Sequence, residues 1–205
     1  MIVDYQKEIE KLKLVRSGQI KEGLRLGIPT LDQHYRFKFT NFNVILGHAN
    51  VGKTTVLLYI MLLYTLKHKI KWLVYSSENE PYTIIRKLVE YICAEPINKI
   101  NDQDLKDSTA FIYEHFKFID TNNLYTYKDL ISLAESVKKQ WEFQGFMIDP
   151  YNSLVKDKED IKNMNGHEYD YVACSYFRIF CRNHNVTMWL NTHANTEALR
   201  KKHGM

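Results

Sequence analysis

The 205 residues suffice for one domain with a substantial core, and a chain that is 45% hydrophobic and 25% charged has an ordinary globular composition, which excludes disorder as the default. A net charge of +4 is mildly basic, compatible with nucleic acid but too weak to argue for it alone. The longest apolar stretch, around residues 56–64, falls short of the ~20 residues a membrane span needs, and the opening "MIVDYQKEIEKLKLVRSG" places charges where a signal peptide has its apolar core. A cytoplasmic protein without a membrane partner is therefore expected. Cys93, Cys174 and Cys181 form no C-x-x-C pair, so buried, reduced thiols are expected rather than a disulfide framework or a zinc site.

In chain order, Ile2, Tyr5, Ile9 and Leu12 recur at helical spacing among Lys and Glu, so residues 1–20 read as an N-terminal amphipathic helix leading into a core over 21–205. Gly23, Gly27 and Pro29 break that pattern. Five short apolar runs follow, "FNVILG", "KWLVYSS", "FKFID", "GFMIDP" and "VTMWLNTH", separated by helical segments near 53–68, 81–94, 102–115, 127–142 and 167–184. Strands alternating with helices of that length predict right-handed crossovers and an α/β fold with a mainly parallel sheet covered on both faces. Ligands of such sheets bind at the carboxyl ends of the strands.

At the end of the first strand, "GHANVGKT" satisfies G-x-x-x-x-G-K-[ST] and opens a predicted helix. Chance would produce this match in on the order of one chain per hundred of this length. The glycines let the backbone curl until its N–H groups converge on phosphate oxygens at the positive end of the helix dipole. The predicted phosphate cradle is Gly47, His48, Ala49, Asn50, Val51, Gly52, Lys53, Thr54 and Thr55, with Lys53 reaching the β- and γ-phosphates of ATP and Thr54 ligating Mg2+. A second carboxylate for the metal comes from "FMIDPYNSL", where an apolar strand ends at Asp149.

Two further strand ends carry candidate chemistry. In "WLVYSSENEP" the strand ends at Ser76 and Ser77, placing Glu78 at the rim of the same crevice to orient or deprotonate the attacking water. Glu80 is the alternative base, and both acids could instead be helix-dipole partners ahead of Pro81. In "VTMWLNTHANT" a strand ends with Thr192 and His193, where a polar side chain can contact a γ-phosphate and report its loss.

Together these motifs resemble the RecA-type P-loop ATPase core and, within it, the DnaB-type replicative helicases, especially the phage and mitochondrial Twinkle-like branch. "LGIPTLDQ" resembles the family's entry segment, "VYSSENEP" its catalytic-glutamate strand, "IDPYN" its Walker B segment, and "EYDYVACSYFRIFCRNHNVTMWLNTH" the helix and strand leading to the γ-phosphate sensor, here His193. The resemblance implies strand order 3-2-4-5-1, with the Asp149 and His193 strands beside the phosphate-loop strand. It implies an ATP-dependent DNA helicase core with ATP and Mg2+ as ligands, working as a homo-oligomeric, hexameric ring on single-stranded DNA with primase or other replisome proteins as partners, in the host cytoplasm if phage-encoded.

By the same resemblance, the N-terminal helix is a linker docking on a neighbouring subunit. DNA-gripping candidates are the segment 152–166, with Lys156, Lys158 and Lys162, and the tail, with Arg200, Lys201 and Lys202. In the first segment three acids offset three lysines, the pattern of an ordinary solvated loop. The family core continues past the sensor strand to an arginine finger, so a chain ending at Met205 is expected to lack those C-terminal strands and to turn over poorly by itself. Two alternatives stay open: a RecA- or RadA-type recombination ATPase, and a nucleotide-binding regulatory module with little turnover.

Overall fold

A computed structural model describes residues 2–20 and 23–194. The chain divides into two compact units, Met1–Lys38 and Phe39–Met205. In the first, α1 spans Tyr5–Arg16, capped by the Asp4 carboxylate, which accepts from the Gln6 N–H. No residue of α1 is buried, and Ile2 precedes it rather than belonging to it. The short α2, Pro29–Asp32, is a single turn with Pro at its start, too brief for periodicity to reveal. Asp32, at its end, accepts from the N–H groups of Leu26 (2.7 Å) and Gly27 (2.8 Å), so the "LGIPTLD" stretch is a turn closed on its own carboxylate. Leu24 and Phe37 pair in an antiparallel bridge.

The second unit is built on β1 (Phe42–Gly47), β2 (Trp72–Ser76), β3 (Phe116–Phe118), β4 (Gly145–Asp149) and β5 (Thr187–His193). All pairings are parallel and the order is β1-β5-β4-β2-β3, the order expected from the resemblance. Only the His193 strand, β5, pairs directly with the phosphate-loop strand β1; the Asp149 strand, β4, lies one strand further in. The intervening helices are α3 (Lys53–His68), α4 (Pro81–Cys93), α5 (Asp102–His115), α6 (Tyr127–Gln140), α7 (Asp160–Asn163) and α8 (Gly166–His184). Thr126 with Asp129, and Asn165 with Glu168, form reciprocal capping boxes that start α6 and α8. Within 152–166, expected to be a plain loop, lie a 3-10 turn over Tyr151–Ser153 and the one-turn α7.

Every residue of β2 and β4 is buried, as a sheet covered on both faces demands. One face packs Leu73, Tyr75, Phe146, Ile148, Met188 and Leu190 against Leu130 and Ala134 of α6 and Ala173, Phe177 and Phe180 of α8. On the other face α3 meets the sheet through Tyr64 against Trp189, and through Thr65, whose hydroxyl accepts from the Trp72 indole N–H at 3.0 Å. Tyr59 and Tyr91 join α3 to α4 edge-to-face. Of the three free thiols only Cys181 is buried, with burial pushing its pKa up to about 12; Cys93 and Cys174 are half-buried, contrary to the expectation for all three. Among the described residues no helix is long and apolar enough to cross a membrane.

Gly145 allows the central strands to close. Its register partner is Trp72, and a Cβ added to Gly145 would stand 2.1 Å from the Trp72 ring. Without that Cβ, the indole crosses β4 and meets Trp189 on β5 at a centroid distance of 5.0 Å. Gly145→Ala forces the ring or the strand to move, and overpacking of this kind typically costs about 1–3 kcal/mol. A lower urea midpoint is the expected result, and an unchanged midpoint would contradict this packing account.

Candidate functional site

Parallel pairing sends the carboxyl ends of β1, β5, β4 and β2 to the same rim of the sheet, so Gly47, His193, Asp149 and Ser76 end on one side. Registers Gly47↔His193 and Ser76↔Asp149 place these ends level with one another in pairs. Between β1 and α3 the chain makes its tight turn with Asn50 at φ 60° and Gly52 at φ 84°, a left-handed backbone that glycine adopts without strain. Gly47 serves a different need: the Lys53 stem crosses it, so a Cβ there would sit 3.1 Å from the lysine Cδ.

The rim opens into a cavity of about 570 Å3 lined by Ala49, Asn50, Gly52, Lys53, Thr54 and Thr55, and from other elements by Glu78, Asn79, Lys87, Asn191 and His193. Six of the nine expected cradle residues thus face it. Gly47, His48 and Val51 do not, although the His48 carbonyl takes part through Lys53. The Lys53 ammonium donates to the carbonyls of Gly47 (3.0 Å) and His48 (2.6 Å) and lies 3.3 Å from His193 Nδ1. An ammonium can only donate, so Nδ1 is the acceptor, and the ring proton sits on Nε2, which faces Glu78 Oε1 at 3.0 Å. Lys53, His193 and Glu78 therefore form a continuous chain across the cavity. Glu80 falls at the N-cap of α4 and does not line the cavity.

Below this chain lies a drier cluster. Asp149 is 1% exposed. Its Oδ2 accepts from the Thr54 hydroxyl at 2.7 Å and its Oδ1 from the Asn191 amide. Burial pushes the Asp149 pKa above the usual carboxylate range; the hydrogen bonds from Thr54 and Asn191 oppose that, the nearby Glu78 charge adds to it, and His193 lowers it. A hydroxyl and a carboxylate in contact form a hard-oxygen pair of the kind Mg2+ prefers.

Sequence reasoning missed Asn79, Lys87, Asn191 and Asn152. Asn152 Oδ1 accepts from the Thr192 hydroxyl (2.6 Å) and the His193 N–H (2.8 Å), tying the segment after β4 to the end of β5. The only sequence signal for Asn191 is a polar residue interrupting the apolar run "VTMWL" of a buried strand, and Asn152 had none. In the 152–166 segment, Lys156 pairs with Asp170 at 3.2 Å and donates to the Gly166 carbonyl, while Lys158 and Lys162 are exposed. Arg200, Lys201 and Lys202 lie outside the described residues.

No protein-family profile matches the chain, and no curated protein matches it. Solved structures do. The ATPase domain of one DnaB-like helicase superposes with a TM-score of 0.72 at 15% identity, over 97% of this chain and 74% of that one. A second DnaB-like replicative helicase, described with its interactions with primase, superposes with a TM-score of 0.70 at 15% identity, over 98% of this chain. This chain spans 50% of the length of that second helicase. The fold is that of DnaB-like helicase ATPase domains, a RecA-like parallel sheet between helices.

The raised pKa of Asp149 has a sign. A carboxyl that holds its proton more tightly when folded contributes most to stability at low pH, and loses that contribution as pH rises through its folded pKa. Asp149→Asn removes the buried charge, so the ligand-free chain should melt higher at neutral pH, with about 2–4 °C for each kcal/mol recovered. The gain should shrink as the pH is lowered. A lower Tm for Asp149→Asn at neutral pH would contradict this electrostatic reading.

Proposed function

We propose that this chain is the ATPase core of a DnaB-type replicative DNA helicase, binding Mg2+ and ATP in the strand-end cavity and coupling hydrolysis to movement along single-stranded DNA. The observation that carries the reading is the meeting of Lys53, Thr54, Glu78, Asp149 and His193, from three strand ends and one helix start, around one cavity on this fold.

The residues fit a magnesium ion. Thr54 and Asp149 supply oxygen donors 2.7 Å apart. Among the described residues no cluster of three or more His, Cys, Asp or Glu could cage a metal, which suits an ion completed by water and substrate phosphates. When bound, such an ion neutralises charge on the β- and γ-phosphate oxygens.

The chain's own groups then divide the work. Lys53 exchanges its loop carbonyls for the β- and γ-phosphates, while free N–H groups at the start of α3 hold the remaining oxygens. Glu78 accepts a proton from the attacking water as the water oxygen bonds to the γ-phosphorus and the bond to the β,γ-bridging oxygen breaks, releasing ADP and phosphate. His193, set between Lys53 and Glu78 and held at its backbone by Asn152, senses departure of the phosphate and passes it to the segment after β4. In the complete assembly the chain works in a hexameric ring with α1 docked on its neighbour, Lys158, Lys162 and the tail cations Arg200, Lys201 and Lys202 facing DNA, and primase or other replisome proteins as partners.

Lys53→Ala should weaken binding of a fluorescent ATP analogue at least tenfold, and unchanged affinity would count against the phosphate role. Glu78→Gln should keep nucleotide but lower turnover by about 10²-fold or more; surviving turnover, abolished instead by Glu80→Gln, would move the base to Glu80. For the wild-type chain, magnesium-dependent turnover per subunit should rise with protein concentration and with single-stranded DNA. Binding without turnover under every condition favours the regulatory module, and ATP-dependent filaments in negative stain favour the recombination ATPase.

A further inference from the structure

Asn191 sits where an apolar side chain would be expected. Its strand neighbours Trp189 and Leu190 are buried core, and Asn191 itself is 1% exposed. Its amide nitrogen donates to Asp149 Oδ1 and lies 3.4 Å from the Thr54 hydroxyl. Its carbonyl oxygen is buried with no hydrogen-bond partner, the one such side-chain atom among the described residues. Leaving a buried acceptor unpaired costs free energy that a leucine would not incur, so packing alone does not account for an amide at this position. What the amide supplies is a donor aimed at one oxygen of the carboxylate whose other oxygen already takes the Thr54 proton. With both Asp149 oxygens engaged, from β5 and from α3, the carboxylate has one orientation. The Thr54 hydroxyl, its proton turned toward Asp149, keeps its lone pairs for a cation.

We propose that Asn191 is a positioning residue of the metal site, its amide fixing the Asp149 carboxylate so that Thr54 and Asp149 together present oxygen to a divalent ion. This rests on the nucleotide reading above. Partners that orient a metal's ligands typically contribute 10–100-fold to metal affinity without touching the metal.

The test uses the full chain with Mn2+ in place of Mg2+. Free Mn2+ is measured by electron paramagnetic resonance at fixed ADP, and affinity for a fluorescent nucleotide is measured separately in EDTA. Wild type should bind one Mn2+ per chain only when ADP is present, and Asp149→Asn should lose it. Asn191→Leu and Asn191→Ala should weaken Mn2+ at least tenfold while nucleotide affinity in EDTA stays within twofold; Asn191→Thr, which keeps a hydroxyl donor, should fall between them and wild type. Thermal melts identify any variant that fails to fold, and the remaining variants then carry the comparison.

Wild-type Mn2+ affinity in the Leu and Ala variants, with Asp149→Asn impaired, would overturn the role of Asn191 and leave the nucleotide reading standing. Equal losses of Mn2+ and of metal-free nucleotide would also overturn it, as general damage to the cavity. No ADP-dependent Mn2+ in wild type would overturn the nucleotide reading itself.

Discussion

The Trp72 indole, laid across the bare backbone of Gly145 onto Trp189, is the contact on which the central sheet depends. It spans β2, β4 and β5 on one face, and its N–H is satisfied by Thr65 of α3, itself bonded to the Met61 and Ile70 carbonyls. A buried indole without that acceptor would be costly. With it, three strands and a helix share one register. The carboxyl ends of those strands then fall level, which is the only way residues from 47 to 193 can share one cavity.

At that rim the chemistry is arranged in two tiers. The upper tier, Lys53–His193–Glu78, is half-exposed and made of groups that exchange partners easily. The lower tier, Thr54–Asp149–Asn191, is dry and held by short bonds. Mobile charge above fixed charge suits a site that must release one phosphate and take another while keeping a single metal geometry. In this arrangement Lys53 occupies the carbonyls of its own loop, and Glu78 is tied to His193. Both contacts are ones a bound triphosphate would compete for.

Much of this was legible in the residues. The phosphate loop announced itself because glycine, lysine and threonine at fixed spacing have few other uses, and its helix runs over Lys53–His68 as the pattern predicts. Each strand end bearing Glu78, Asp149 or His193 could be read because a buried apolar run stops abruptly at a polar residue. Asn191 and Asn152 could not be, since a single amide acts through where it lands in space, and no spacing rule links residue 191 to 149 or 152 to 193. The position of β5 between β1 and β4 likewise came from resemblance rather than from any local signal. The exposed apolar residues Tyr5 and Leu12 of α1 were readable as amphipathic, whereas their partner is not written in the helix itself.

The most direct test is a crystal structure of this chain with Mg2+ and a non-hydrolysable ATP analogue. The account predicts the triphosphate at the start of α3, Lys53 Nζ moved from the Gly47 and His48 carbonyls to the β- and γ-phosphates, the ion between Thr54 and the phosphates, and Asp149 still held by Asn191. Nucleotide bound elsewhere, or bound here with Lys53 still on its own loop, would contradict it.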